Sequence, residues 1–200
     1  MNRPVRILGL AGSLRASSHN QALVRAAARL TGPDVELEVF ERLKDVPVFD
    51  EDLEADPPAG VTALRAAVDR ADAVLLATPE YNQSIPGATK NMIDWISRSE
   101  PGLEGKPVAL LGATTGPWGT RIAQSQMRHV LVAVGALVMP APALFVPFVG
   151  RHLDADGEVT DPELGERLRA LVSALAVWTV RLTGSPGLDV MPTEESTVPS

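Results

Sequence analysis

The residues best suited to chemistry fall in three short stretches, each following an apolar run. The first, Gly12-Ser13-Leu14-Arg15-Ala16-Ser17-Ser18-His19-Asn20, groups three hydroxyls, a carboxamide and a guanidinium just ahead of a helical pattern. A phosphate monoester carries roughly −1.5 to −2 charges near neutral pH. A helix N-terminus offers unpaired N–H donors and a dipole worth about 0.3–1 kcal/mol to an anion, and each charge-assisted hydrogen bond adds about 1.5–3 kcal/mol. An isolated serine here would read as a helix cap; the cluster with Arg15 at a strand end reads as a phosphate cradle. The second stretch, Thr78 to Gly87, holds the only tyrosine, Tyr81, beside Pro79, Glu80 and Asn82. Fixed polar groups and an aromatic at a strand end suit a flat heterocycle with hydrogen-bonding edges, and an ordinary turn capping the core has the same composition. The third, Gly112 to Gly119, carries Thr114, Thr115, Gly116 and Trp118, with glycines that let backbone approach a ligand.

Other chemistries lack their residues. With no cysteine there is no disulfide, thiolate site or cysteine nucleophile. His19, His129 and His152 have no metal-ligand spacing, so no metal is expected. Gly105-Lys106 is followed by Pro107 and precedes a strand, which excludes a P-loop. Gly9 and Gly12 are spaced G-x-x-G, without the dinucleotide fingerprint, and no G-x-S-x-G elbow occurs. A net charge of −7 argues against a nucleic-acid partner. No apolar stretch has the length of a membrane span. The first residues read as a strand rather than a signal peptide, so a cytoplasmic location and no membrane partner are expected.

The elements that must position these stretches follow from periodicity. Apolar runs at Val5–Leu10, Ala73–Thr78 and Val108–Ala113 read as buried strands, Val35–Phe40 alternates as a half-exposed one, and Ala136–Met139 begins a fifth. Helical stripes occur over Ser18–Leu30, with Ala22, Leu23, Ala26, Ala27 and Leu30 inward; at Val61, Leu64, Val68 and Ala71; after Pro86; over Gly119–Val134; and over Pro162–Leu182, where Leu164, Leu168, Leu171, Leu175, Trp178 and Leu182 alternate in steps of four and three. Lys44 to Gly60 reads as a long loop. Strand and helix alternate without a repeat or linker, giving an α/β doubly wound five-stranded parallel sheet with helices on both faces, one domain over residues 1–184, and a disordered tail over 185–200. In such sheets ligands bind beyond the carboxyl ends of the strands, where all three stretches lie.

Together the segments GSLRASSHN, PEYNQSIPGATKNMIDW and TTGPWGTRIAQSQMRHVLVAVGALVMP resemble the NADPH-dependent FMN reductase family, in its order and spacing over residues 5 to 140. The middle segment is the most specific. The resemblance implies a flavodoxin-like fold, an FMN cofactor, NADPH or NADH as co-substrate, and a homodimer or homotetramer. It places Ser13, Leu14, Arg15, Ser18, His19 and Asn20 around the FMN phosphate. Pro79, Glu80, Tyr81 and Asn82 would border the isoalloxazine ring, with Thr114, Thr115 and Gly116 at its other edge. Where relatives carry Gly-Gly, this chain has Trp118-Gly119, so Trp118 would cover the ring or shape the substrate mouth. Trp95 is a candidate for either a subunit contact or the core. The implied reaction takes two electrons from NAD(P)H through the flavin to a small acceptor (a quinone, azo compound, metal oxyanion or free flavin), with no side-chain catalyst. The alternative is a flavodoxin-type electron carrier without reductase turnover.

Overall fold

The computed structural model describes residues 3–183; the tail expected over 185–200 lies outside them. Five apolar segments become the strands β1 (Val5–Ala11), β2 (Val35–Val39), β3 (Ala73–Ala77), β4 (Pro107–Ala113) and β5 (Leu137–Val138), joined by a short β6 (Leu144–Val146). All pair in parallel, in the order β2-β1-β3-β4-β5. β3 and β4 are buried along their whole length, whereas β2, at the edge, alternates half-buried and exposed residues as its Val/Glu pattern requires.

The fifth position of the sheet is where the structure departs from expectation. β5 covers only the start of β4, pairing with Pro107 and Val108, while β6 pairs with Leu111 to Ala113 at its end. Pro140 and Pro142, lying between them, supply no N–H for a ladder, so one strand is split in two. The result is a sheet of six segments in five positions.

The helices are α1 (His19–Arg29), α2 (Ala59–Arg70), α3 (Gly87–Ile96), α4 (Arg121–Ala133) and α5 (Pro162–Thr183). α1 and α5 pack with Ile7, Leu75, Ala109 and Leu111 on one face of the sheet. α2, α3 and α4 pack with Leu8, Leu10, Val74, Leu76 and Leu110 on the other. Leu164, Leu168, Leu171 and Leu175 are buried as their spacing requires, but Leu182 is exposed. Buried Thr179 lies on the inward face one turn earlier, its hydroxyl bonded to the Leu175 carbonyl at 2.8 Å. Gly135, at φ 73°, ends the α4 segment as anticipated.

The KN-x-IDW stretch is explained by the long loop before α2. Asn91 donates to the Pro47 carbonyl at 2.8 Å and accepts from the Phe49 amide at 2.7 Å. Trp95 Nε1 donates to the same Pro47 carbonyl at 2.8 Å, and its ring meets Phe49 edge-on. Lys90 pairs with Asp94 one turn on. Trp95 is completely buried, so its side chain is core and its role is to pin residues 47–49 against α3.

Candidate functional site

Strand order places the switch between β1 and β3, so the crevice opens where the chain leaves these strands and β4. Two close approaches shape the floor. The Thr89 hydroxyl donates to the Gly12 carbonyl at 3.0 Å, and a Cβ on Gly12 would lie 1.9 Å from Thr89 Oγ1. A Cβ on Gly112 would lie 2.0 Å from Thr120 Oγ1 and 2.5 Å from the Thr78 carbonyl. Both glycines therefore serve helix-to-strand packing. Gly116, by contrast, faces open space.

Above this floor an open cleft is walled by all three loops. The first contributes Ser13, Arg15, Ser18, His19 and Asn20, the second Pro79, Glu80 and Tyr81, and the third Thr114 and Thr115 with Ala113. The structure thus brings together ten of the thirteen residues singled out by sequence. Leu14 turns the other way and lines two adjoining grooves, with Pro86, Gly87 and Ala88 in one and Leu43, Val46 and Val48 in the other. Asn82 and Gly116 stand beside the cleft without lining it.

Local folding explains each wall. Ser18 is the N-cap of α1, its Oγ accepting from the Gln21 amide at 3.2 Å while its own proton stays free to donate. The first-turn amides of His19 and Asn20 have no helical acceptor. The buried Asn20 carboxamide is a clamp: it accepts from the Ala113 amide at 2.9 Å and donates to the Ala113 carbonyl at 3.2 Å. This ties the first loop to the end of β4. Arg15 reaches only Ser17, at 3.4 Å, and makes no ion pair among the described residues. Its guanidinium is available to an anion.

The second loop is a tight hairpin. Tyr81 and Ser84 exchange backbone hydrogen bonds at 3.0 Å, with Asn82 and Gln83 at φ 52° and 59° between them. Positive φ at both central residues is the condition for a type I′ turn. Gln126 of α4 holds it, accepting from Ser84 Oγ at 2.7 Å and donating to the Gln83 carbonyl at 3.1 Å. Glu80, for which sequence supplied no specific partner, accepts from the Ile122 and Ala123 amides, both at 3.0 Å. Thr120, preceding α4, sits at φ 66° and caps nothing with its side chain, so Glu80 supplies the missing cap from another loop. The third loop is closed by Thr114, whose hydroxyl donates to the Gly116 carbonyl at 3.0 Å and accepts from the Gly119 amide at 3.1 Å. Trp118 is 65% exposed, out over this wall.

Hydroxyls, free first-turn amides and one unpaired guanidinium converge on one side of the cleft, and the one carboxylate lining it, that of Glu80, is engaged by amides. That donor set fits a dianionic phosphate. Parallel sheet, switch point and cradle define the class: a flavodoxin-like protein that binds a mononucleotide. The sequence matches the family described as NADPH-dependent FMN reductase over residues 5–150. It is 37% identical to the NAD(P)H-dependent FMN reductase PA1204 of Pseudomonas aeruginosa over 187 residues, covering 92% of this chain and 100% of the relative. It is 32% identical to a quinone reductase of Escherichia coli K12, covering 91% and 99%. The structure of FerB, a flavoenzyme NAD(P)H:(acceptor) oxidoreductase from Paracoccus denitrificans, superimposes with a TM-score of 0.79 at 34% identity, covering 88% of this chain and 98% of that one. The chain therefore belongs to the NADPH-dependent FMN reductase family, and it is an NAD(P)H-dependent flavin oxidoreductase with FMN as its cofactor. Among the described residues no helix is long and apolar enough to cross a membrane, and no cluster of acidic or histidine side chains could hold a metal.

Proposed function

We propose that this reductase passes two electrons from NAD(P)H to a small quinone. The convergence of three strand-end loops on one cleft, with a free guanidinium at one side, carries this reading. When bound, FMN supplies the redox chemistry, taking two electrons from the nicotinamide and giving them to the acceptor.

The chain's own residues bind and orient. Arg15, the hydroxyls of Ser13 and Ser18, and the first-turn amides of His19 and Asn20 hold the phosphate. Pro79, Tyr81 and the Asn82 turn border one edge of the ring, and Thr114, Thr115 and Gly116 the other. Leu14 shields the cradle on the side of the apolar grooves. Glu80 acts as a positioning residue, fixing the start of α4 against the second loop. Exposed Val48 and Leu14 beside the cleft support a homodimer or homotetramer in solution, working in the cytoplasm, where its co-substrate is found.

Rapid mixing with NADPH under anaerobic conditions tests the proposal. The visible flavin band should bleach within the mixing experiment and return on adding benzoquinone. Protein that takes up no flavin, or whose band is bleached by NADPH yet restored by no quinone, would overturn it. A carrier of the flavodoxin type would instead oxidise no NADPH without a partner reductase.

A further inference from the structure

Two groups stand out among the exposed arginines. Arg25, Arg29, Arg42, Arg70 and Arg98 each sit against a carboxylate. Arg121, Arg151 and Arg167 have no such partner among the described residues, and all three gather on the short segment 145–148. The Arg121 guanidinium lies 4.5 Å from the Phe145 ring centroid and that of Arg151 4.7 Å from the Phe148 centroid. Arg167 donates to the Phe145 carbonyl at 3.4 Å. Of the acids near them, Glu166 pairs with Arg169, Asp161 with His152, and Glu80 accepts from the amides of α4, while Glu163, one turn before Arg167 on α5, forms no ion pair with it.

Three guanidiniums without an ion pair, in a chain of 25 acids and 18 bases, make a local positive field against an acidic background. Stacking on an aromatic ring orients a guanidinium's plane while leaving its N–H edge for a phosphate. The patch also has a fixed relation to the cleft. The Phe148 amide donates to the Gly116 carbonyl and the Val149 amide to the Thr114 carbonyl, both at 3.0 Å. Arg121 opens α4 directly after the same loop. The patch is therefore braced against the third loop, while Arg15 stands in the first.

The geometry points to a second anion site, in which Arg121, Arg151 and Arg167 receive the phosphates of the incoming dinucleotide, the 2′-phosphate above all, and so set a preference for NADPH over NADH. The inference rests on the reductase reading, which brings the dinucleotide to this cleft. NADPH differs from NADH by one phosphate monoester of roughly −1.5 to −2 charges, so a cationic surface beside the cleft discriminates between them.

Titration calorimetry on the FMN-loaded protein, with 2′,5′-ADP and 5′-AMP at constant ionic strength, tests the site apart from turnover. The natural protein should bind 2′,5′-ADP about tenfold more tightly than 5′-AMP, the gain expected of one or two partly screened charge-assisted contacts. Arg121→Ala with Arg151→Ala should bring the two to parity, while Arg70→Ala, whose arginine is paired with Glu38, should leave the difference intact. In turnover the double variant should raise KM for NADPH by about tenfold with kcat unchanged, and move KM for NADH by less than about twofold. An unchanged thermal melt and flavin spectrum identify a folded variant, and Arg121→Lys with Arg151→Lys, which keeps the charge, should retain part of the preference. Parity in the natural protein, or a preference that survives both arginine losses, would overturn the second site. Absence of NADPH oxidation by the natural protein would instead defeat the reductase reading, with the calorimetric comparison still deciding the anion site.

Discussion

At the scale of single residues, the account turns on Arg15 and Asn20. Arg15 makes no ion pair among the described residues and has only a 3.4 Å contact with Ser17, so its charge is uncommitted. Arg15→Ala should weaken FMN binding by on the order of tenfold, the share expected of one charge-assisted contact at a half-open site, and weaken riboflavin binding far less. Equal losses for both ligands in a fluorescence titration would remove Arg15 from the phosphate. Asn20 belongs to the scaffold as well. Its carboxamide satisfies both backbone groups of Ala113 in a buried setting, so Asn20→Ala should cost about 1–3 kcal/mol in urea unfolding of the apoprotein. Unchanged stability would show that the clamp is dispensable. The cradle was legible in the sequence because its parts are neighbours in the chain. The clamp was not, because Asn20 and Ala113 are 93 residues apart and only the finished sheet brings them together. Glu80 was opaque for the same reason: the amides that donate to it stand 42 and 43 residues away.

At the scale of elements, the loops are held by turn geometry and by caps borrowed from elsewhere. The Tyr81–Ser84 hairpin needs positive φ at Asn82 and Gln83, which asparagine tolerates and glutamine does not favour. Gln83→Gly should raise the stability of the apoprotein by about 0.5–1 kcal/mol, since it relieves that conformation and leaves the Gln83 carbonyl in place for Gln126. A fall in the unfolding midpoint would contradict the turn described here. Glu80→Ala should remove the cap of α4 and cost about 1 kcal/mol, with Glu80→Gln keeping much of that loss at bay through its remaining carbonyl oxygen. Most elements were legible because their apolar residues recur at steps of two, or of three and four. β6 was not. It has three residues and follows two prolines, too short for any period to show, and only the open edge of β4 above β5 gives it a place. Leu182 was misjudged because a stripe extended to the end of a long helix runs past the sheet it packs on.

At the scale of the whole molecule, binding and acid sensitivity are assigned to opposite ends of the sheet. The chain's start is held where β1 and β3 begin: Asp72 accepts from Arg3 Nη1 at 2.6 Å and from the Arg6 amide at 2.9 Å. Chiefly through the Arg3 hydrogen bond, its carboxyl is pulled down from the ordinary 3.8 to about 2. A folded-state value below the unfolded one means that the stabilisation is complete above the unfolded value and disappears as pH falls through the folded one. The loss should therefore run from about pH 4 to pH 2 and amount to about 1 kcal/mol, because Arg3 is 61% exposed and solvent screens the pair. Asp72→Asn should flatten that limb of the urea-stability profile of the apoprotein; an unaltered limb would assign acid unfolding to other groups. The doubly wound class was legible from the alternation of strands and helices alone, because a parallel sheet forces helical crossovers. The convergence of the three loops follows from that class, and the cleft depends on it.

Hydrogen exchange followed by mass spectrometry, with and without FMN, tests that convergence most directly. FMN should slow exchange together in residues 13–20, 79–84 and 114–119, and leave residues 67–72, beside the opposite ends of the strands, unchanged. Protection confined to one of the three segments, or appearing at the far end of the sheet, would contradict the account.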